Sequence, residues 1–191
     1  MAVPQRRGDP ILVEHDEGIR PGTTTESLGN LGAAFLDGGT ITAGNASQIS
    51  DGAAALVVAD RDAADALGMP LVAEILAYGQ TAGPDTSLQA QPANALRIAL
   101  KKADLDVNDL DLVEINEAFA AVSLYSADLL GIPHDRVNVN GGAIALGHPL
   151  GASGARIVVT LISALRARGG GIGGAALCGG GGQGDALIVR G

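Results

Sequence analysis

The sequence is poor in cysteine, in aromatic residues and in long apolar runs. It has one cysteine, Cys178, among 191 residues, so it cannot form an internal disulfide, as is usual in a reducing cytoplasm. Aromatic residues make up only 2%, so a core must be built from Ala, Val, Leu and Ile. No apolar run reaches the roughly 18 residues of a membrane helix, and the amino terminus lacks the layout of a signal peptide. These absences predict a soluble, cytoplasmic protein.

Positive charge is also scarce. Lys and Arg number 12 and Asp and Glu number 21, which gives a net charge of −9. Such an acidic surface argues against nucleic acid or an anionic membrane as a partner. Hydrophobic residues nevertheless make up 47% of the chain, and 29 glycines cluster between apolar runs. The composition therefore allows a sizeable core with tight turns at the glycines.

Alternating apolar strands and amphipathic helices predict an α/β layered fold. Strands are expected at residues 53–59, 71–77, 110–115 and 137–140, with a closing strand pair at 173–178 and 185–189. Helices are expected at residues 61–67 and 92–103, from the Asn116-Glu117 junction to about 130, and from about 151 to 168. The first 45 residues carry mostly turn signals. Because the segment before residue 70 holds only one strand and one helix, we place a boundary there, between an incomplete unit, 1–70, and a domain, 71–191.

A glycine-rich loop leads into the last predicted helix and contains Gly147-His148-Pro149. Loops of this kind expose backbone N–H groups at the positive end of the helix dipole. A histidine there can donate a hydrogen bond to a developing oxyanion or exchange a proton. For the motif alone, a helix-capping loop with an incidental histidine is the more frequent explanation. No G-x-G-x-x-G motif follows a strand with an acidic residue downstream, which excludes a Rossmann site.

Three further segments are candidates for chemistry. Cys178 precedes four glycines at a strand end, where free N–H groups can bind an anion, although a lone cysteine is commonly buried and inert. Asn116-Glu117-Ala118-Phe119 lies at a strand-to-helix junction, where Asn116 alone would be interpreted as an N-cap. The small polar residues at 42–52 form either a turn or a wall that faces a ligand.

Together, these motifs resemble the signatures of the thiolase family. The Asn116 motif, the stretch from Gly141 to Gly154, and Cys178 with its glycines occur in the family's order and at its spacing. Residues 45–53 are similar to the segment that closes the family's CoA-binding region. Four motifs in register, spread over essentially the whole chain, are far more specific than any one of them. The resemblance implies a thiolase-type fold: a C-terminal domain with a mixed β-sheet flanked by helices, preceded by an incomplete piece of the N-terminal domain.

The resemblance also implies an acyltransferase. Thiolases convert 3-ketoacyl-CoA and CoA into acetyl-CoA and a shortened acyl-CoA, or run the reverse condensation, through a covalent acyl-cysteine. CoA and acyl-CoA are then substrates, no metal or covalent cofactor is implied, and full-length family members are homodimers or homotetramers. By position, His148 matches the histidine that activates the nucleophilic thiol and binds the thioester oxygen. Asn116 matches the asparagine that holds a water in that oxyanion hole, Cys178 matches the second acid/base, and the Gly180 backbone belongs to a second oxyanion hole.

Substrate contacts follow from the same resemblance. Ser47, Ala43 and Phe35 resemble the wall around the pantetheine arm of CoA, Phe119 a contact near the thioester, and Arg20 a position near the adenine. Gln48-Ile49-Ser50 is more similar to the degradative 3-ketoacyl thiolases of fatty-acid β-oxidation than to the biosynthetic enzymes. The family's nucleophilic cysteine lies upstream of the matched region, and no other cysteine replaces it. We therefore expect a truncated chain that is inactive alone.

Three alternatives remain at this stage. The first is a non-catalytic CoA-binding or scaffolding module of the same fold. The second, a 3-ketoacyl synthase relative, is weaker, because that group uses paired histidines, or histidine with asparagine, and has no equivalent of Cys178. The third, a sterol-carrier-type thiolase, is disfavoured because that branch tends to replace the Asn-Glu-Ala-Phe motif.

Overall fold

The structure, a computed structural model, describes residues 1–191. Contacts divide the chain into two units, Met1–Asn30 and Leu31–Gly191. The first unit has a two-residue strand pair, β1 (Ala2–Val3) and β2 (Ile11–Leu12), and a short helix, α1 (Thr25–Gly29). Thr24 and Ser27 form a capping box at the start of α1. No residue of this unit is buried, in agreement with the turn-rich sequence.

Apart from its 3₁₀ turns, the second unit contains nine helices and strands in total. In chain order these are α2 (Arg61–Ala66), β3 (Glu74–Ala82), α3 (Gln91–Ala103), β4 (Leu112–Ile115), α4 (Ala120–Leu130), α5 (Ala143–Leu146), α6 (Ser153–Ala167), β5 (Ile172–Gly179) and β6 (Gln183–Arg190). The helices expected around 61–67, 92–103, 117–130 and 151–168 are all present, as is the closing strand pair. No helix is both long and apolar enough to cross a membrane.

The four strands of the second unit form one mixed sheet in the order β3-β6-β5-β4. β4 and β5 run parallel, whereas β6 pairs antiparallel with both β5 and β3. A parallel pair requires a crossover, which here runs from β4 through α4 and α6 to β5. The predicted α/β layered fold with a mixed sheet is confirmed.

Helices cover both faces of the sheet. On one face, Leu96 and Ala99 of α3 and Val122 of α4 pack against alternate sheet residues such as Ile115 and Ile188. On the opposite face, α6 supplies its own buried stripe, Ile157, Val158, Leu161, Ala164 and Leu165. These spacings of three and four residues are those of an amphipathic helix that buries one side.

Glycines allow close contact between the layers. Gly79 of β3 is buried beneath α3, where an added Cβ would overlap the Ala95 carbonyl oxygen and lie 2.7 Å from the Ala99 backbone nitrogen. On the other face, a Cβ on Gly173 of β5 would lie 2.7 Å from a methyl carbon of Leu161. Gly79 is therefore restricted to glycine by backbone atoms of α3, whereas a side chain at position 173 would require the Leu161 side chain to move.

The prediction of a strand at residues 53–59 is wrong. These residues pair with no other strand, and Val57 and Val58 are 82% and 73% exposed. A β-strand needs a neighbour to satisfy its backbone N–H and C=O groups, and hydrophobicity alone does not supply one.

Two other expected strands are displaced or replaced. The strand expected at 71–77 runs instead from Glu74 to Ala82, because its register follows β6, with a bulge between Ile75 and Ala77. The strand expected at 137–140 is reduced to a single bridge between Val137 and Val113. Asn138 takes a left-handed φ of 49°, which ends the extended path. The boundary near residue 70 stays a prediction.

Candidate active site

Asn116 and Cys178 lie at the carboxyl ends of the parallel strands β4 and β5. The Asn116 N–H donates to the Ala176 carbonyl at 2.9 Å, so the pairing of β4 with β5 continues one residue past β4. Cys178 lies two residues further along β5. Ligands of α/β sheets commonly bind at this edge.

His148 is held between two side chains. Its Nε2 atom lies 3.3 Å from Asn116 Nδ2, and its Nδ1 atom lies 2.6 Å from Ser153 Oγ. The Ser153 hydroxyl donates to the Pro149 carbonyl, so it accepts from an Nδ1–H. An amide nitrogen only donates, so Nε2 accepts from Asn116. This arrangement defines a neutral imidazole with the lone pair on Nε2.

The environment of His148 favours this neutral form. Burial lowers the pKa of the imidazole from its ordinary value, and the positive charge of Arg156 lowers it further. A histidine of this kind remains a base at neutral pH. The interpretation of Asn116 as an N-cap is wrong, because Phe119 is the N-cap residue of α4.

Residues 45–49 connect the Asn116 motif to the histidine loop. Toward the motif, Ser47 donates to the Ala118 carbonyl through both N–H and Oγ, at 3.2 and 3.1 Å. Toward the loop, the His148 N–H donates to the Gln48 carbonyl at 2.9 Å, and Ile49 forms a parallel bridge with His148. The segment is therefore a strap whose main chain fixes both halves of the candidate site.

The predicted CoA contacts are only partly brought together. The rings of Phe35 and Phe119 meet edge to face, with centroids 5.9 Å apart, and Phe35 is 73% exposed. Ala43 is exposed in the turn that precedes the strap. Arg20 is an exposed residue of the first unit. Ser47, Phe35 and Phe119 thus surround one region, which an apolar ligand portion can contact from solvent.

Sequence reasoning missed two polar residues that fasten the loops. The Asn138 side chain accepts from Ile115 N–H at 2.8 Å and donates to Ile115 C=O at 2.9 Å, which replaces the expected strand pairing. The Glu117 carboxylate accepts from Asn138 Nδ2 at 3.0 Å and from the Ile144 N–H at 3.1 Å. An added Cβ at Gly142 would collide with this carboxylate. The only sequence signal was their place within motifs already noted for other residues.

Cys178 is a free, half-buried thiol before the glycine turn. Burial raises its pKa above the ordinary value, and a backbone hydrogen bond opposes this effect. Gly181 and Gly182 have φ values of 82° and 77°, which L side chains rarely adopt. Exposed Gly180 opens the turn, and its carbonyl accepts from Gln183 Nε2 at 3.1 Å. At neutral pH the thiol therefore carries a proton that it can donate.

We expect alkylation of Cys178 by iodoacetamide to be slow at neutral pH. Because the thiolate is the reactive form, the rate should continue to rise with pH beyond the pH at which the rate of the unfolded chain levels off. The rate is measured by mass spectrometry of samples quenched at timed intervals. The urea-unfolded chain, with the same single thiol, is the matched control. A rate that reaches its plateau below about pH 8 in the folded chain would contradict the raised pKa.

Comparison with known proteins agrees with this fold and these motifs. The family model "Thiolase, C-terminal domain" matches residues 69–191, and "Thiolase, N-terminal domain" matches residues 1–62. The chain belongs to the thiolase family. Its relatives are named as acyltransferases: a probable acetyl-CoA acetyltransferase of Mycolicibacterium smegmatis is 57% identical over 190 residues, which are 100% of this chain and 49% of that protein.

Solved structures confirm the thiolase fold. The Bacillus anthracis acetyl-CoA acetyltransferase superposes with a TM-score of 0.89 at 40% identity, covering 99% of this chain and 48% of that one. Human mitochondrial 3-ketoacyl-CoA thiolase in complex with CoA gives a TM-score of 0.84 at 43% identity, covering 93% of this chain and 45% of that one. The chain thus spans about half the length of the relatives it matches.

Proposed function

We propose that this chain supplies the enolate-stabilising part of a thiolase active site, for 3-ketoacyl-CoA thiolysis or the reverse condensation of acetyl-CoA. The observation that carries the proposal is the Asn116–His148 contact of 3.3 Å, with Ser153 behind the imidazole and the strap at its edge. The membership in the thiolase family supports the reaction class. The named relatives support CoA and acyl-CoA as ligands. That the chain uses no metal and no covalent cofactor stays a prediction.

Thiolysis requires an enolate to form and then to be protonated. A cysteine thiolate attacks the 3-keto carbon, and the bond between C2 and C3 breaks. Its electron pair moves into the thioester carbonyl as an enolate, whose oxygen needs hydrogen-bond donors. His148, which takes the proton of the attacking thiol and then carries an Nε2–H, would donate to that oxygen together with an Asn116-held water. The Cys178 S–H would protonate C2 to give acetyl-CoA. CoA would then lose its thiol proton to the Cys178 thiolate and attack the acyl group, and the departing first cysteine would take back the proton held by His148.

The protonation states on each side support these roles. Burial keeps Cys178 protonated, as an acid that donates to C2 must be. The lowered pKa keeps His148 neutral, as a base that takes a proton from the attacking thiol must be. In the reverse direction the thiolate of Cys178 would remove the α-proton. The Gly180 N–H, at the start of the turn after Cys178, would serve the second oxyanion hole.

Substrate binding would use the region around the strap. The exposed edge-to-face rings of Phe35 and Phe119, with Ser47 and Ala43 beside them, suit the pantetheine arm of CoA. The contact of Arg20, in the first unit, with the adenine end of CoA stays a prediction from the resemblance. We further propose the degradative subtype, a role in fatty-acid β-oxidation and assembly with other subunits, all from the motif match, including Gln48-Ile49-Ser50. A cytoplasmic location is proposed from the single cysteine.

The acyl-carrying thiol is not among these 191 residues, because their single cysteine occupies the acid/base position. We therefore propose that the chain by itself does not turn over. The test compares the chain with a chimera in which it replaces the aligned half of the M. smegmatis relative, to which it is 57% identical. Thiolysis of acetoacetyl-CoA is followed by loss of the enolate absorbance.

We expect the chimera to turn over and the chain alone to remain at background. Turnover by the chain alone that Cys178→Ala abolishes, without an acyl adduct at any other residue, would contradict the proposal. Calorimetry with CoA addresses the alternative of a non-catalytic CoA module. Tight binding by the chain alone, together with an inactive chimera, would favour that module over an enzyme.

A further inference from the structure

Three alternate residues of β4 and its extension face α6. Successive side chains of a strand point to opposite faces, so Leu112, Glu114 and Asn116 share one side. Leu112 belongs to the α6 core cluster. The Glu114 carboxylate lies 3.5 Å from the Arg156 guanidinium of α6, and Asn116 contacts His148. The Glu114–Arg156 ion pair therefore lies next to the Asn116–His148 contact on the same face of β4, two residues nearer the start of the strand.

On α6, too, the residue of the ion pair lies next to a residue that contacts the candidate site. Arg156 follows Ser153 by three residues, and residues at this spacing are neighbours on a helix face. Ser153 in turn holds His148 at 2.6 Å. The ion pair thus joins β4 to α6 directly behind the place where these two elements present Asn116 and His148.

The pair is buried and has little hydrogen bonding. The side chains of Glu114 and Arg156 are 2% and 18% exposed. Glu114 Oε2 and both terminal nitrogens of Arg156 are inaccessible and have no hydrogen-bond partner. Buried pairs of this kind are often no more stabilising than apolar side chains of similar volume, whereas removal of one partner leaves an uncompensated charge. Stability alone does not account for charged residues at these two positions.

We propose that Glu114 and Arg156 are positioning residues for the candidate site: they set the spacing between Asn116 and His148, and the Arg156 charge acts on the imidazole through Ser153's end of α6. The proposal rests on the proposed function for the catalytic use of His148, but not for the electrostatic coupling. The titratable or charged groups on the elements around His148 are Arg156 from α6, Glu114 from β4, Glu117 from the loop after β4, Asp51 from the segment beside the strap, and Cys178 from β5.

The charge balance within the pair supports this coupling. Burial raises the pKa of Glu114 to about 7; Arg156 opposes this effect and Glu117 adds to it. Near neutral pH the carboxylate is therefore only partly ionised. The guanidinium, which is always charged, is then incompletely neutralised by its partner. Its positive charge lowers the pKa of His148 in addition to desolvation.

The test measures the pKa of His148 in the 191-residue chain. Histidine labelled with ¹³C and ¹⁵N is titrated by NMR from about pH 5 to pH 8, the range in which imidazoles normally titrate. The variants are Arg156→Met, Glu114→Gln and the conservative Arg156→Lys. Arg166→Met, an exposed change at the other end of α6, is the matched control. His134, which pairs with Asp128 at 3.1 Å, is the internal reference.

Arg156→Met removes a positive charge and should raise the pKa of His148. Glu114→Gln should change it little, because a carboxyl with a pKa of about 7 is mostly uncharged over the range in which the imidazole titrates. Arg156→Lys keeps the charge and should stay near the native value, and Arg166→Met should leave the pKa unchanged. A general loosening of the fold would raise the pKa in Arg156→Lys and Glu114→Gln as much as in Arg156→Met, and that result, or no shift in folded Arg156→Met, overturns the proposal. If Arg156→Met fails to give a folded amide spectrum, Arg156→Gln takes its place, with the same expected rise and the same contrary results.

A second readout separates this proposal from the proposed function. In the chimera, Arg156→Met should move the acidic limb of kcat/KM to higher pH. An inactive chimera with a raised His148 pKa in Arg156→Met would reject the enzymatic function and retain the coupling. An active chimera without NMR shifts would retain the function and reject the coupling.

Discussion

Replacing Cys178 by alanine in the chimera is expected to lower kcat/KM for acetoacetyl-CoA thiolysis by about 10²–10⁴-fold, the usual contribution of a general acid or base. The variant cannot protonate the C2 carbanion equivalent after the carbon–carbon bond breaks. Its acyl-carrying cysteine, supplied by the M. smegmatis portion, stays intact. Stopped-flow absorbance measures the rate, and mass spectrometry measures the acyl adduct.

Two controls make this result specific. Ser163→Ala changes an exposed residue of α6 and should leave kcat/KM within about twofold, as is usual for surface substitutions. Thermal melting by circular dichroism shows whether Cys178→Ala remains folded. A folded Cys178→Ala chimera with unchanged turnover would remove Cys178 from the acid/base role, and loss of the acyl adduct would reassign it to the nucleophilic step.

Replacing Gly79 by alanine should cost about 3 kcal/mol or more of the free energy of unfolding, at the upper end of overpacking effects. The added Cβ would overlap the Ala95 carbonyl oxygen and lie 2.7 Å from the Ala99 nitrogen. Both are helix backbone atoms, which cannot rotate away as a side chain can. β3 and α3 must therefore move apart, and α3 loses contact with the core.

Urea denaturation followed by circular dichroism measures this cost, with Gly154→Ala as the matched control. Gly154 lies in the first turn of α6, and a Cβ there meets nothing within 4 Å. Its replacement should change the free energy of unfolding by about 1 kcal/mol at most, in the stabilising direction, since alanine is the better helix former. Equal destabilisation by the two substitutions would contradict the steric explanation.

The sequence predicted those elements whose signals are local. The α3 and α6 stripes repeat at helical spacing and end near capping or glycine residues, so their bounds are nearly correct. The strands were harder, because a strand is defined by its partner. Residues 53–59 have the composition of a strand but no partner, and the bounds of β3 follow the register of β6. Asn138 shows a third case, in which a side chain takes the place of strand pairing.

The candidate site shows the same difference between residues with a local sequence signal and residues whose role depends on distant parts of the chain. His148, Asn116 and Cys178 were noted because they stand in motifs with unusual glycine density or at strand ends. Ser153, Glu114 and Arg156 were not singled out, since a serine in a helix or a glutamate in a strand carries no distinctive local pattern. Their roles depend on distances between β4 and α6, which are separated along the chain by α4 and α5. Only the folded arrangement reveals such relations.

The unpaired segment 53–59 also bears on how the chain behaves among copies of itself. Its seven residues are all Ala, Leu or Val, without charge or proline, and its valines are largely exposed. Short segments of this type are templates for intermolecular cross-β association, because their free N–H and C=O groups can pair with an identical neighbour. The net charge of −9 keeps molecules apart, but salt screens that repulsion. We therefore expect ionic strength and protein concentration, rather than the stability of the core, to determine how long the chain stays free of aggregates in solution.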